Sequence, residues 1–160
     1  AYEGPVYMRL SRAAAPVIYE EALDFGIGKG IRVREGSDVT IVVTGTLLGK
    51  ALAAADLLAG AGVSAEVIDM HTVKPLDEEL LAASAKKTGA VVTFEEHSIC
   101  GGLYGAVTEA LARLCPVPAD GIGATSYAES GDYEALLAKY GYTPEALAAK
   151  ANIVIARKTK

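Results

Sequence analysis

Val39-Thr40-Ile41-Val42-Val43-Thr44 is the stretch on which the fold turns. All six residues are β-branched, which stiffens the side chains and suits a pleated backbone. A run with so little polar alternation fits a strand covered on both faces, as in a parallel sheet. Gly45 and Thr46 then turn the chain, and Thr46 is placed to cap the next helix. Leu48, Leu52, Ala55 and Ala59 recur at helical spacing, flanked by Leu47, Ala51, Ala54 and Leu58. This predicts a helix with a broad apolar face that ends near Gly60 or Gly62.

Outward from this unit the pattern repeats. Ser64 to Met70 reads as a strand and His71 to Lys74 as a loop, with Pro75 opening a helix at its favoured first turn. Asp77, Glu78 and Glu79 suit the positive end of that helix, Lys86 and Lys87 suit the other end, and Gly89 closes it. Ala90 to Phe94 is the next strand. Gly101 and Gly102 lead into a helix with Leu103, Val107, Ala110, Leu111 and Leu114 on one face. Pro116 to Gly123 holds a weaker strand, Ser130 is expected to cap a short helix ended by Gly141, and Thr143-Pro144-Glu145 starts the last one. Towards the amino terminus, Arg32 to Arg34 fits a short edge strand, Val17 to Gly30 reads as a surface linker, and Pro5 to Leu10 has strand composition. Strands alternating with helices of this length imply an α/β fold of three layers, α/β/α, around a mostly parallel five-stranded sheet. The regular domain is expected over 36–160.

The bulk numbers agree with one such domain. The chain has 160 residues, of which 51% are hydrophobic and 22% charged, enough to build a core and too apolar for wholesale disorder. Fifteen basic residues against twenty acidic ones give a net charge of −5. With no basic run, nucleic acid and anionic membranes are excluded as the main partner. No apolar run approaches the roughly 20 residues that span a bilayer. Two cysteines, Cys100 and Cys115, are too few for a disulfide scaffold, and with His71 and His97 they lack zinc-site spacing. The opening residues carry no signal-peptide pattern, so a cytoplasmic location is expected.

Ligands of open parallel sheets bind at the carboxyl ends of the strands. Here those ends gather His71, Glu95, Glu96 and His97, that is, both histidines and two adjacent glutamates. Two readings stand side by side. One is an acid/base site in which His97 works beside Glu95 or Glu96, with His71 one strand over. The other is a set of side chains that caps helix ends and fills a subunit contact. The run Glu95 to Gly102 ends in two glycines before a helix, but its carboxylates would repel a phosphate, and it has neither the Walker spacing nor the dinucleotide fingerprint. Gly26-Ile27-Gly28-Lys29-Gly30 has no strand before it or helix after it and is read as linker. Cys100 has no assured base, and Ser126 and Ser130 lack a nucleophile elbow. Arg9 and Arg12 can each offer a guanidinium to an anion.

Five blocks, in order, resemble the carboxy-terminal part of the transketolase family. Gly4-Pro5-Val6-Tyr7-Met8-Arg9-Leu10-Ser11-Arg12 is similar to the final strand of the pyrimidine-binding domain. Glu35 to Gly45, with the strand quoted first, is similar to the start of the carboxy-terminal domain. Val67-Ile68-Asp69-Met70-His71-Thr72-Val73-Lys74-Pro75-Leu76-Asp77 is the next block, followed by Thr93-Phe94-Glu95-Glu96-His97-Ser98 with Gly101-Gly102-Leu103. Glu129-Ser130-Gly131 and Tyr140-Gly141-Tyr142-Thr143 close the series. Two departures are Tyr104, where a small residue is expected, and Ala124 to Ala128, which lacks an Asp-x-Phe-Gly pattern.

The resemblance implies a transketolase-type carboxy-terminal domain over 36–160, a linker over 17–35, and a remnant of the pyrimidine-binding domain over 1–16. It implies a parent that moves a two-carbon ketol unit between sugar phosphates with thiamine diphosphate and magnesium. The flavour nearest to the second chain of a split transketolase leaves those cofactors to other domains or to a companion subunit. The fragment itself would then bind no cofactor or metal, hold no catalytic residue and be inactive alone. Deoxyxylulose phosphate synthase and the beta subunits of 2-oxo acid dehydrogenases share the same blocks. The resemblance gives Arg12 the phosphate end of a sugar substrate. It makes the edge with His71, Glu95, Glu96 and His97 a contact between paired subunits of a homodimer. A reading of another class is a pure assembly module that binds a partner protein.

Overall fold

Alternate residues of one strand, β2 (Val39–Val43), feed the two faces of the sheet. Val39, Ile41 and Val43 enter one core cluster, while Val42 enters the other and Thr40 hydrogen-bonds Thr88 Oγ1 at 2.8 Å. A strand with no exposed residue needs cover on both sides, and the helices supply it. The computed structural model describes residues 2–12, 14–21, 23 and 25–158.

The elements follow as β1 (Ile31–Arg34), β2, a 3₁₀ turn (Gly45–Leu47), α1 (Leu48–Gly60), β3 (Ala65–Asp69), α2 (Glu78–Thr88), β4 (Val91–Ser98), α3 (Leu103–Leu114), β5 (Ala119–Ala124), α4 (Tyr133–Lys139) and α5 (Pro144–Ile155). The sheet order is β1-β3-β2-β4-β5. All pairings are parallel except β1 with β3. Helices α1 and α5 share one core cluster with the sheet, and α2 and α3 share the other. The three-layer, mostly parallel α/β/α sheet expected from the sequence is therefore the one observed. Ala51, Ala54, Ala55 and Ala151 are all fully buried between α1, α5 and the sheet. Their small side chains let those helices lie close to each other and to the strands.

Four local expectations are corrected. Thr46 caps nothing: the 3₁₀ turn leads directly into α1, and the Thr46 hydroxyl donates to Glu96 instead. Pro75 stands ahead of α2 rather than in its first turn. The cap is Asp77, whose Oδ1 accepts from Leu80 N at 3.1 Å, a carboxylate satisfying an amide that a proline cannot. Asp132, not Ser130, caps α4, accepting from Ala135 N at 3.0 Å. Residues 5–10 form no strand, because nothing in the described residues pairs with them; Tyr7 is 90% and Leu10 78% exposed.

β4 also runs past Phe94 to Ser98. Its register against β5 shifts between Phe94 and Ser98. Such an irregularity breaks the strict in-out alternation and re-aims the side chains there. The residues affected are Glu95, Glu96 and His97.

Candidate functional site at the carboxyl edge of the sheet

The carboxyl edge is assembled from the ends of β2, β3 and β4 and from residues 2–30, whose described part crosses over it as an arm. The arm touches the edge from β4 towards β1. Arg9 Nη1 lies 3.5 Å from His97 Nδ1. Tyr19 Oη donates to Asp69 Oδ2 at 2.7 Å, and the Phe25 ring sits 4.4 Å from that of His71. Gly28 has φ +81°, and a Cβ there would press on Pro75, so only glycine keeps the arm this close. Gly30 N donates to Asp77 Oδ2 at 3.0 Å, so the α2 cap holds the end of the arm as well. The stretch read as a linker is thus a bound segment.

Glu95 is almost wholly buried and receives Leu103 N at 2.6 Å and Tyr104 N at 2.8 Å. These are amides at the start of α3, which has no N-cap side chain of its own. A carboxylate from another strand therefore does the capping, and the positive end of the helix favours it. Burial pushes the Glu95 carboxyl above its ordinary value, and the two backbone amides oppose the shift. Gly102 permits the approach, since a Cβ there would collide with the Glu95 carboxylate. Glu95 was expected on a subunit contact. Its side chain instead faces into the domain, because the register shift leaves it pointing at α3.

Glu96 and His97 face a different way. Glu96 Oε2 accepts from Thr46 Oγ1 and from Tyr133 Oη, the latter at 3.2 Å. His97 is held below its ordinary pKa by burial and then by the Arg9 charge, with Glu96 opposing. Both influences favour the uncharged ring. Since Arg9 can only donate, the His97 Nδ1 lone pair faces it and the ring proton sits on Nε2.

His71 is not one strand from β4, as expected, because β2 lies between. Two strand spacings, about 9–10 Å, separate the ends of β3 and β4. His71 Nδ1 pairs with Thr72 Oγ1 at 3.1 Å, and its buried Nε2 has no partner among the described residues. Asp69 is pushed up by burial, against Tyr19 and His71, while burial and then Asp69 push the Tyr19 hydroxyl up. The edge therefore separates into Glu95 with α3, Glu96 with Thr46 and Tyr133, His97 with Arg9, and His71 with Phe25. No nucleophile stands among them. Cys100 is exposed, and Arg12 is exposed on the arm.

Sequence reasoning missed Tyr19, Phe25 and Tyr133. The first two lie in a segment without periodicity, and Tyr133 was hidden in the apolar count of α4. The edge does not fit a diphosphate–magnesium group. Its carboxylates already accept from protein donors, and no group of three or more His, Cys, Asp or Glu side chains among the described residues is arranged to hold a metal.

With this geometry in hand, the comparisons identify the class. The family model for the transketolase C-terminal domain matches residues 28–147. The chain belongs to that family. It is 46% identical to the 6-deoxy-6-sulfo-D-fructose transketolase subunit SqwH of Clostridium sp. (strain MSTE9), over 99% of this chain and 49% of that one. It is 41% identical to 1-deoxy-D-xylulose-5-phosphate synthase of Heliobacterium modesticaldum, over 89% of this chain and 23% of that one. A solved chain described as a split gene transketolase in an inactive beta4 tetramer superposes with a TM-score of 0.96 at 43% identity, over 99% of this chain and 52% of that one. The chain thus spans about half the length of its split-transketolase relatives. Among the described residues no helix is long and apolar enough to cross a membrane.

Proposed function

We propose that this chain is the carboxy-terminal domain of a thiamine-diphosphate-dependent transketolase, which moves a two-carbon ketol unit between sugars with an anionic end. Thiamine diphosphate and magnesium belong to domains outside these 160 residues, and the edge described above meets those domains or a second copy in a homodimer. Residues 1–16 belong with the pyrimidine-binding domain, 17–35 form the bound connection and 36–160 the domain proper. By itself the chain is inactive.

The observation that carries this reading is the outward side of the arm. Tyr2, Val6, Tyr7, Met8, Leu10, Val17, Leu23, Phe25 and Ile27 are all exposed, nine large apolar side chains within 26 residues. Apolar surface this concentrated marks a contact. The relatives' extra half is chain enough to cover it.

Arg12 stands on the same segment, and we assign it to the anionic end of the sugar. A planar guanidinium serves phosphate or sulfonate equally by two parallel hydrogen bonds, and SqwH is named for a sulfo-sugar. The test is to assemble the chain with its companion domains and assay ketol transfer with thiamine diphosphate and magnesium. Arg12→Ala should raise the KM for phosphorylated or sulfonated sugars more than it lowers kcat. Equal effects on charged and uncharged sugars would remove Arg12 from the site. Formation of 1-deoxy-D-xylulose 5-phosphate in place of ketol transfer would favour the synthase, a reading supported by the 41% identity to that enzyme.

A further inference from the structure

The carboxyl edge has a second outward feature, beyond β5. Residues 125–132, between β5 and α4, are all exposed, and Tyr127 is wholly so, at 102%. Among the described residues its ring and hydroxyl have no partner. A lone exposed tyrosine is ordinary. This one is set apart by its seat. At the base of the loop Ala124 is the register partner of Ser98, and Ile99 N donates to Ala124 O at 3.0 Å. Further along, Glu129 N donates to Tyr140 Oη at 3.0 Å, Lys139 Nζ pairs with Glu129 Oε2 at 2.7 Å, and Asp132 caps α4. The loop is therefore held on both sides of a residue that gains nothing from its own domain. The arm arrives at the same place. Its contacts run from Gly30 and Phe25 through Tyr19 at β3 to Arg9 at β4, where Arg9 Nη1 lies 3.5 Å from His97 Nδ1. His97 precedes Ser98, so Arg9 lands on the strand next to the base of the loop, with about 5 Å between the two backbones. Tyr2, Val6, Tyr7 and Met8, just ahead of Arg9, are exposed apolar residues.

We infer that Tyr127 is an anchor by which this domain docks onto the preceding half of its parent chain, with its ring seated in an apolar pocket of that half. The inference rests on the reading of the chain as the carboxy-terminal domain of a split transketolase. Relatives of that kind are about twice as long, and the matching family model is that of a C-terminal domain, so their remaining half comes first and begins at this end of the arm. Whatever covers the outward side of residues 2–8 therefore stands beside the loop. A tyrosine suits the task, with a large apolar face, few side-chain rotations to freeze and a hydroxyl for the wetter rim. Such residues carry an outsized share of interface energy. A loop already held at its base and at Glu129 loses little freedom on docking.

The experiment is hydroxyl-radical footprinting, read by mass spectrometry, on the 160-residue chain and on the complete parent chain. Tyr127 should be oxidised roughly fivefold or more slowly in the parent chain. Leu57 and Ile153, exposed on α1 and α5, are the controls and should not change. A second measurement identifies the occupant. With p-benzoylphenylalanine in place of Tyr127, irradiation should cross-link within one parent chain, to a peptide ahead of residue 1. Tyr127→Ala should leave the urea midpoint of the 160-residue chain unchanged and should speed Glu-C cleavage after Glu129 in the parent chain roughly fivefold or more. Tyr127→Phe keeps the ring and should stay within about twofold of the unsubstituted parent chain. Equal oxidation of Tyr127 in both chains would overturn the docking site. Cross-linking between chains would overturn the choice of the preceding half, in favour of a second copy or a companion subunit. Slower oxidation with unchanged cleavage in Tyr127→Ala would overturn the anchor role. Ketol transfer by the same parent preparation tests the underlying reading separately. Its absence alongside slower oxidation of Tyr127 would remove the transketolase assignment and leave the docking site standing.

Discussion

Replacing Glu95 with Ala measures how much one buried carboxylate contributes to α3. The side chain receives two backbone amides, Leu103 N at 2.6 Å and Tyr104 N at 2.8 Å, and no other side chain caps the helix. Hydrogen bonds to a charged group contribute about 1.5–3 kcal/mol each, and buried donors left without partners cost about 1–3 kcal/mol each. These are two descriptions of the same loss, so they are not added. Two amides give a loss of about 3–6 kcal/mol. Freeing the carboxylate from burial returns part of this, and burial is the larger influence on its pKa. The net expectation is a destabilisation of about 2–4 kcal/mol. Glu95→Gln retains one acceptor oxygen and should fall about midway. The assay is urea unfolding followed by far-ultraviolet circular dichroism, with slopes checked for equality before midpoints are compared. A loss under about 0.5 kcal/mol for Glu95→Ala would refute the capping argument, because amides at a buried helix start would then have found other partners at no cost.

Gly102→Ala should be destabilising by about 1–3 kcal/mol, since its methyl collides with the Glu95 carboxylate, and pairing it with Glu95→Ala should recover part of the loss in a double-mutant cycle. Glu66 is fully buried, with Arg32 Nε at 3.0 Å and Lys87 on the same carboxylate; both cations are partly exposed and also pair with Glu35, so Glu66→Ala leaves each a partner and should cost about 1–3 kcal/mol by denaturant titration. His97→Ala in the full assembly should lower dimer stability by about 1–3 kcal/mol with turnover within a few-fold; a hundredfold loss with the dimer intact would make His97 catalytic. The same residue gives a pH signature. Its folded pKa lies below the unfolded 6.5, so the unfolded chain binds more protons just under that value, and stability falls as pH drops through the window from 6.5 downward. His97→Gln should remove that component, read as the difference between its denaturation midpoints and those of the parent at pH 7.5 and 5.5.

The architecture was open to reading because its signals are local. A continuous β-branched run such as Val39 to Thr44 has few stable homes besides a strand buried on both faces. Glycines at 101 and 102 and the Thr143-Pro144 pair mark helix starts by backbone chemistry alone. The site was legible only in outline. Topology collects His71, Glu95, Glu96 and His97 at one edge, but it says nothing of where each side chain ends. That depends on the irregular pairing of β4 with β5 and on the strand order that sets β2 between β3 and β4. The arm was the least legible part. Its contacts at Tyr19 and Phe25 link residues 46 to 50 positions apart in sequence, and no period or cap announces a contact of that span.

The two outermost strands have a consequence for how this domain can meet its neighbours. β1 runs against the direction of the others, slips register between Arg32 and Arg34, and carries those two arginines in ion pairs with Glu66 and Asp56. At the opposite border β5 contains Gly121 and Gly123, and the Arg157 guanidinium already takes the carbonyl of Ala119 at 3.2 Å. Charge, slipped register and a covered carbonyl each discourage the docking of a further strand. Lateral growth of the sheet is thus opposed at both borders. A ribbon of copies zipped together side by side is therefore disfavoured.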